Sequence, residues 1–216
     1  MNPMICFSAC SMFYCLMLIF VSKNQKTKNY NETKYFKLLL YVNCASLTLE
    51  VLGFFLGNRY NELKLINDIV FRLMLLLHII WSTIMLLYVM SISGDIVKTK
   101  IKKVLILIMI ICGFISIILP IHCNIKNGVV MNTYGIAVNF VYYYCFIMML
   151  LYVISLLKNI KKKNIASYSP IFLYIIGGTI VSMIQSNFPE LVLSNSVDTF
   201  VIFSIYFTIQ KAMTGK

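Results

Sequence analysis

The sequence predicts an all-α, polytopic membrane protein with seven transmembrane helices, its amino terminus outside and its carboxyl terminus in the cytoplasm. Three observations predict it: the composition, the lengths of the apolar runs, and the placement of the lysines. Of 216 residues, 60% are hydrophobic and 12% charged, with a mean hydropathy of +0.86. A soluble domain is roughly 45–50% apolar and roughly 25% charged. Crossing a hydrocarbon core about 30 Å thick takes about 20 mostly apolar residues. Seven such helices use most of the chain, so residues 1–216 are expected to form one membrane domain, with no room for a soluble catalytic domain of about 100–150 residues.

The elements follow in order. The first run, Pro3 to Ser22, has no basic segment before it and no small-residue cleavage pattern after it, so it reads as a retained helix and not as a secretory signal. The second, Leu38 to Gly57, places Asn43, Ser46, Glu50, Gly53 and Gly57 at steps of 3, 4, 3 and 4. That spacing is one helix face, which must turn into the bundle to avoid lipid. The third, Ile69 to Met90, carries Arg72 and His78, which do not share a face, while His78 and Ser82 are placed for a local i, i+4 hydrogen bond. The fourth run is Val104 to Ile121 and the fifth, with Asn139 near its start, is Tyr134 to Leu157. The sixth, Tyr168 to Ser186, aligns Gly178, Ser182 and Gln185, and the seventh, Ser194 to Ile209, opens with Asn195 and Asp198.

A net charge of +12 in a soluble protein would point to nucleic acid, but here the cations are segregated. Lys23, Lys26, Lys28, Lys34 and Lys37 follow the first run, Lys98, Lys100, Lys102 and Lys103 the third, Lys158, Lys161, Lys162 and Lys163 the fifth, and Lys211 and Lys216 the seventh. The alternate connections hold Arg59, Lys64 and Lys126. This asymmetry orients the bundle by the positive-inside rule. The expected partner of these lysines is therefore the lipid bilayer, with no nucleic acid.

The intramembrane polar groups are the candidate site. At 1.5 Å per residue, Glu50 lies about 10 Å below the outer surface, Asp198 about 6 Å, and His78 about 14 Å, near the midplane. Arg72, Asn139, His122, Gln185 and Asn195 fall in the outer third, whereas Asn43 lies towards the inner end. A carboxylate pair, an imidazole and amides gathered beneath one mouth suit a small polar ligand, so Glu50, His78, Asn139, Gln185, Asn195 and Asp198 are the candidate ligand-binding residues. The alternative is that these groups are interhelical glue. Arg72 is expected to be structural, pairing with Glu50 or snorkelling to the outer edge.

No cofactor or metal is expected: the seven cysteines show no CxxC or Cys/His ligand spacing and read as small core residues. Enzyme motifs are absent, including HExxH, GxSxG and a phosphate-cradling P-loop. Helix 7 has no deep lysine for a retinal Schiff base. A small transporter stays open, although the matched halves with broken helices typical of many transporters are not visible. A structural membrane subunit also stays open.

From Gln185 the chain reads Gln-Ser-Asn-Phe-Pro-Glu-Leu-Val-Leu-Ser-Asn-Ser-Val-Asp-Thr-Phe-Val-Ile-Phe-Ser-Ile-Tyr-Phe-Thr-Ile, ending at Ile209. This run resembles the end of the seven-helix membrane region that precedes sensor histidine kinases, and sometimes diguanylate cyclases, in low-GC Gram-positive bacteria. Gln185, Phe188, Pro189, Asp198, Thr199, Phe200, Tyr206, Phe207, Thr208 and Ile209 carry the likeness. It implies a sensing module in a bacterial cytoplasmic membrane, acting as a homodimer or on a separate kinase or cyclase partner, with Thr199, Phe200, Tyr206, Phe207 and Thr208 passing a signal along helix 7. The chain departs from the pattern after Ile209, where Gln-Lys-Ala-Met-Thr-Gly-Lys replaces the usual Glu-Asn-Pro-Asp and the output machinery. The expectation is a sensor without its own catalytic domain, either stand-alone or truncated.

Overall fold

The computed structural model describes residues 3–23, 30–60, 62–92, 99–126, 129–159, 168–187 and 193–214. Seven helices account for most of them: α1 (Pro3–Ser22), α2 (Tyr30–Gly57), α3 (Lys64–Ile92), α4 (Thr99–Ile118), α5 (Ile136–Asn159), α6 (Ser169–Asn187) and α7 (Ser194–Thr214). Four of them, α2 to α5, are long and apolar enough to cross a membrane. α1 and α6 contain shorter apolar stretches, Cys6–Ser22 and Ser169–Gln185. α7 opens with Ser194, Asn195, Ser196, Asp198 and Thr199, which lowers its apolarity.

Several helices extend beyond their apolar runs. α2 begins at Tyr30 and α4 at Thr99, so Lys34, Lys37, Lys100, Lys102 and Lys103 sit on helical turns and not in loops. Lysine is a good helix former, and its stem can lie along apolar surface while its head reaches water. One such contact joins two helices: the Lys102 Nζ lies 5.9 Å from the Tyr35 ring centre.

α3 is the central element and packs against α2, α4 and α5, while α7 packs against α1, α2 and α6. Trp81 to Val89 are buried without interruption, so this part of α3 is enclosed on every side. Around it sit Leu39, Leu40, Tyr152, Tyr168, Ile171, Ile202 and Ile205, all fully buried. Buried hydroxyls between α5 and α3 are paired, as a low-dielectric interior requires. The Tyr152 Oη donates to the Ser82 carbonyl at 2.5 Å. Thr83 Oγ1 donates to the Ile79 carbonyl, leaving the Tyr144 Oη to donate to Thr83 Oγ1 at 2.6 Å. The outward faces are apolar: Phe20, Phe114, Ile118, Tyr143 and Phe200 are widely exposed, a surface suited to lipid and not to water.

The sequence predicts an all-α fold, with no element between the fourth and fifth runs. The chain instead forms an antiparallel hairpin, β1 (His122–Lys126) with β2 (Val129–Tyr134), in which a register shift next to Asn124 and Ile125 gives β2 one extra residue. α4 therefore ends at Ile118 and not Ile121, since Pro120 cannot continue the helical ladder. The hairpin seats on the end of α2, where a Cβ on Gly57 would lie 3.5 Å from Val130. It also abuts the α2–α3 turn: the Tyr60 Oη reaches Asp68 at 3.5 Å beside Cys123. Burial, followed by Cys123 and Asp68, pushes the Tyr60 phenol up to about 12, so it stays a donor at neutral pH.

Arg72 does not pair with Glu50. Its guanidinium donates to the carbonyls of Ile117 and, at 2.8 Å, Leu119, at the C-terminal end of α4. Those carbonyls have no partner inside their own helix, and a cation there also opposes the helix dipole. Arg72→Met should lower stability by about 1–3 kcal/mol, with Arg72→Lys recovering part of the loss, read as thermal unfolding in detergent. Equal melting of all three proteins would remove this cap from the account.

Candidate functional site

The face predicted on α2 is buried as expected. Asn43, Ser46 and Glu50 point to α1 and α7, where they meet residues of matching spacing. The Glu50 carboxyl oxygens are held from two sides, by the Ser8 hydroxyl at 2.5 Å and the Asn195 amide at 2.5 Å. Asn195 accepts from the Ser46 hydroxyl at 2.9 Å. One turn further in, the Asn43 amide donates to Thr199 Oγ1 at 2.8 Å and to the Cys15 sulfur at 3.3 Å, and Thr199 in turn donates to the Asn195 carbonyl. Ser11 and Ser196 add a bond at 3.1 Å. A polar seam thus fastens α1, α2 and α7 together.

Beside the seam lies a cavity of about 350 Å³, walled by α2, α3, α5, α6 and α7 and bordered by β2. Glu50, His78, Gln185 and Asp198 line it. Asn195 does not; it stands behind Glu50 as its donor. Asn139 is also outside it, exposed on α5, because Ala137, Val138 and Val141 take the inward face of that turn. The local His78–Ser82 bond is replaced as well. His78 Nδ1 is 2.8 Å from the Met74 carbonyl, and the Ser82 hydroxyl is 3.2 Å from the Cys145 sulfur.

Sequence reading missed the aromatic wall. Trp81, Tyr142 and Tyr174 line the cavity together with Phe54 and Phe71, and the Trp81 and Tyr174 ring centres are 5.0 Å apart. The signal for Trp81 lay in the spacing: Met74, His78, Trp81 and Ser82 stand at i, i+4, i+7 and i+8 on α3. Asn132 and Thr133 enter the lining from the hairpin.

No family model, curated protein or solved structure matches the chain.

The unsatisfied groups say what the cavity can do. A carbonyl only accepts, so the His78 Nδ1 bond to Met74 places a proton on Nδ1 and leaves Nε2 with a lone pair in the neutral ring. Asp198, only 7% exposed, has no hydrogen-bond partner among the described residues. The Trp81 indole N–H is buried and likewise has none. Neither lysine nor arginine is among the lining residues. Among the described residues there is also no group of three or more His, Cys, Asp or Glu placed to hold a metal ion.

Of the residues expected to pass a signal, Thr199 is buried in the seam and Tyr206 packs against Phe36 of α2 at 6.2 Å between ring centres. Thr208 bonds back to the Ser204 carbonyl within α7. Phe200 and Phe207 face outward, 68% and 60% exposed. Phe188 and Pro189 of the resembling run, and the Ser182 side chain, lie outside the described residues.

Proposed function

We propose that this protein is a ligand-sensing module of a bacterial cytoplasmic membrane, in which all seven helices cross, the amino terminus is outside, and a small molecule in the cavity signals through α7 to a kinase or cyclase output. The observation that carries the reading is the position of Asp198. It is a carboxyl on the cavity wall without a hydrogen-bond partner among the described residues, one helical turn from Asn195 and adjacent to Thr199, the two residues that fasten α7 to α1 and α2. A ligand that engages Asp198 pulls on the same turn of helix that the seam holds. The lysine asymmetry supports the orientation, and the Gln185 to Ile209 run supports the comparison with kinase sensor regions.

Helix displacements of about 1–2 Å are ordinary in such switches. A fluorine label at Phe207, about 13 Å along α7 from Asp198, should shift its resonance in nanodiscs when Asp198 becomes Asn. The same label should not respond to Asn139→Asp. An unmoved resonance in Asp198→Asn would sink the coupling, and steady accumulation of a solute by proteoliposomes would favour a transporter instead.

A further inference from the structure

The lining is one-sided in charge. Its formal charges are the carboxyls of Glu50 and Asp198, and no lysine or arginine offsets them. Arg72, on the same helix as His78, is committed to the end of α4. Glu50 already accepts one bond at each oxygen, whereas Asp198 accepts none among the described residues. His78 Nε2 offers a second lone pair in the neutral ring. An occupant that satisfies both must bring donors, and one that suits the field must be positive.

The rest of the wall sets the body of that occupant. Trp81 and Tyr174 form a paired aromatic surface, and Phe54, Phe71, Val141 and Val181 continue it. Ring faces carry negative potential and attract cations, most strongly at tryptophan. The volume of about 350 Å³ falls at the small end of the range for ligand pockets. An anion would meet two carboxyls without a counter-charge, and a neutral apolar molecule would leave Asp198, His78 Nε2 and the Trp81 N–H unpaired.

We infer that the cavity is a site for a small organic ammonium, an N–H-bearing protonated amine on an apolar or aromatic body, with Asp198 as its counter-ion and Trp81 and Tyr174 as its wall. The Trp81 N–H, the one buried donor of the lining without a partner among the described residues, takes an acceptor atom on the body of the ligand where one is present. This deepens the sensing reading and rests on it for the consequence of binding, though not for binding itself.

Trp81 is the single tryptophan of the chain, so its emission reports the site in the unmodified protein. In nanodiscs, 2-phenylethylamine should change that emission saturably, while phenylacetate, its shape-matched anion, should not. Asp198→Asn should weaken amine binding at least about tenfold, the scale of one lost charged contact, and Asp198→Glu should retain it. Binding of phenylacetate as tight as that of the amine would overturn the proposal, as would amine binding unchanged in a folded Asp198→Asn protein. Should Asp198→Asn not fold, the comparison of amine with anion in the wild-type protein decides alone. Amine binding with an unmoved Phe207 label would uphold this site and sink the sensing reading. A moved label without amine binding would do the reverse.

Discussion

Asn195→Leu should be the most damaging single change in the bundle, lowering stability by about 3 kcal/mol or more. The substitution keeps the shape branched at Cγ, slightly enlarged, but removes the amide that donates to Glu50 and accepts from Ser46. Its cost exceeds two ordinary hydrogen bonds, because it leaves a buried carboxyl oxygen and a buried hydroxyl without their partner. Glu50 cannot easily escape to water, since it is buried and its other oxygen is held by Ser8 of α1. The expected readout is a large drop in melting temperature in detergent. A double-mutant cycle with Glu50→Gln should give a coupling of about 1–2 kcal/mol, since an amide at position 50 is less costly to leave short of a partner. Additive single and double variants would mean that the Glu50–Asn195 contact contributes nothing of its own.

Gly135→Ala should cost about 2–3 kcal/mol, the second large effect. Gly135 joins β2 to α5 with φ at +123°, a conformation that residues with a side chain rarely adopt. Space is short as well: a Cβ there would lie 3.1 Å from the Pro120 carbonyl oxygen and 3.3 Å from the His122 ring. The Pro120 oxygen accepts the Ala137 N–H at 3.2 Å, so the strain falls on the bond that starts α5. Gly113→Ala is the natural comparison. A Cβ there would come within 2.7 Å of Leu76 Cδ1, but that atom is the end of a flexible side chain and can swing away. Thermal melting should therefore separate the two, with Gly135→Ala lower by several degrees; equal melting would mean the turn relaxes freely.

The parts of the fold that were legible in the sequence are those where polar residues recur at helical spacing within apolar runs. Asn43, Ser46 and Glu50 fixed an inward face because exposing them to lipid is costly, and the burial of all three follows from that cost. Glu50, His78, Gln185 and Asp198, grouped by their positions along the apolar runs, line one cavity. Rotation about a helix axis was not legible where a single polar residue stands alone. Asn139 has no polar neighbour at i+3 or i+4, and it faces outward. Similar depth for Arg72 and Glu50 was likewise not enough to make a pair, because the carbonyls at the end of α4 compete for the guanidinium. The hairpin was missed, although Asn127-Gly128 between Ile125 and Val129 is a turn dipeptide between short apolar stretches that signals one. The aromatic wall was hidden because Trp81, Tyr142 and Tyr174 sit in runs already rich in large apolar residues.

The continuous burial of α3 from Trp81 to Val89 bears on how this bundle can move. A rod enclosed on every side cannot turn without displacing all its neighbours at once, and close-packed interiors resist that. It behaves as a fixed axle. Motion is cheaper at the rim, where α7 borders the cavity on one flank and exposes Phe200 and Phe207 on the other. Lipid yields readily to a tilting helix, so the side chains that carry no recognition chemistry are the ones that let α7 swing. On the proposed sensing function, the composition and thickness of the bilayer become a second input, one that sets how far the helix travels for a given occupant.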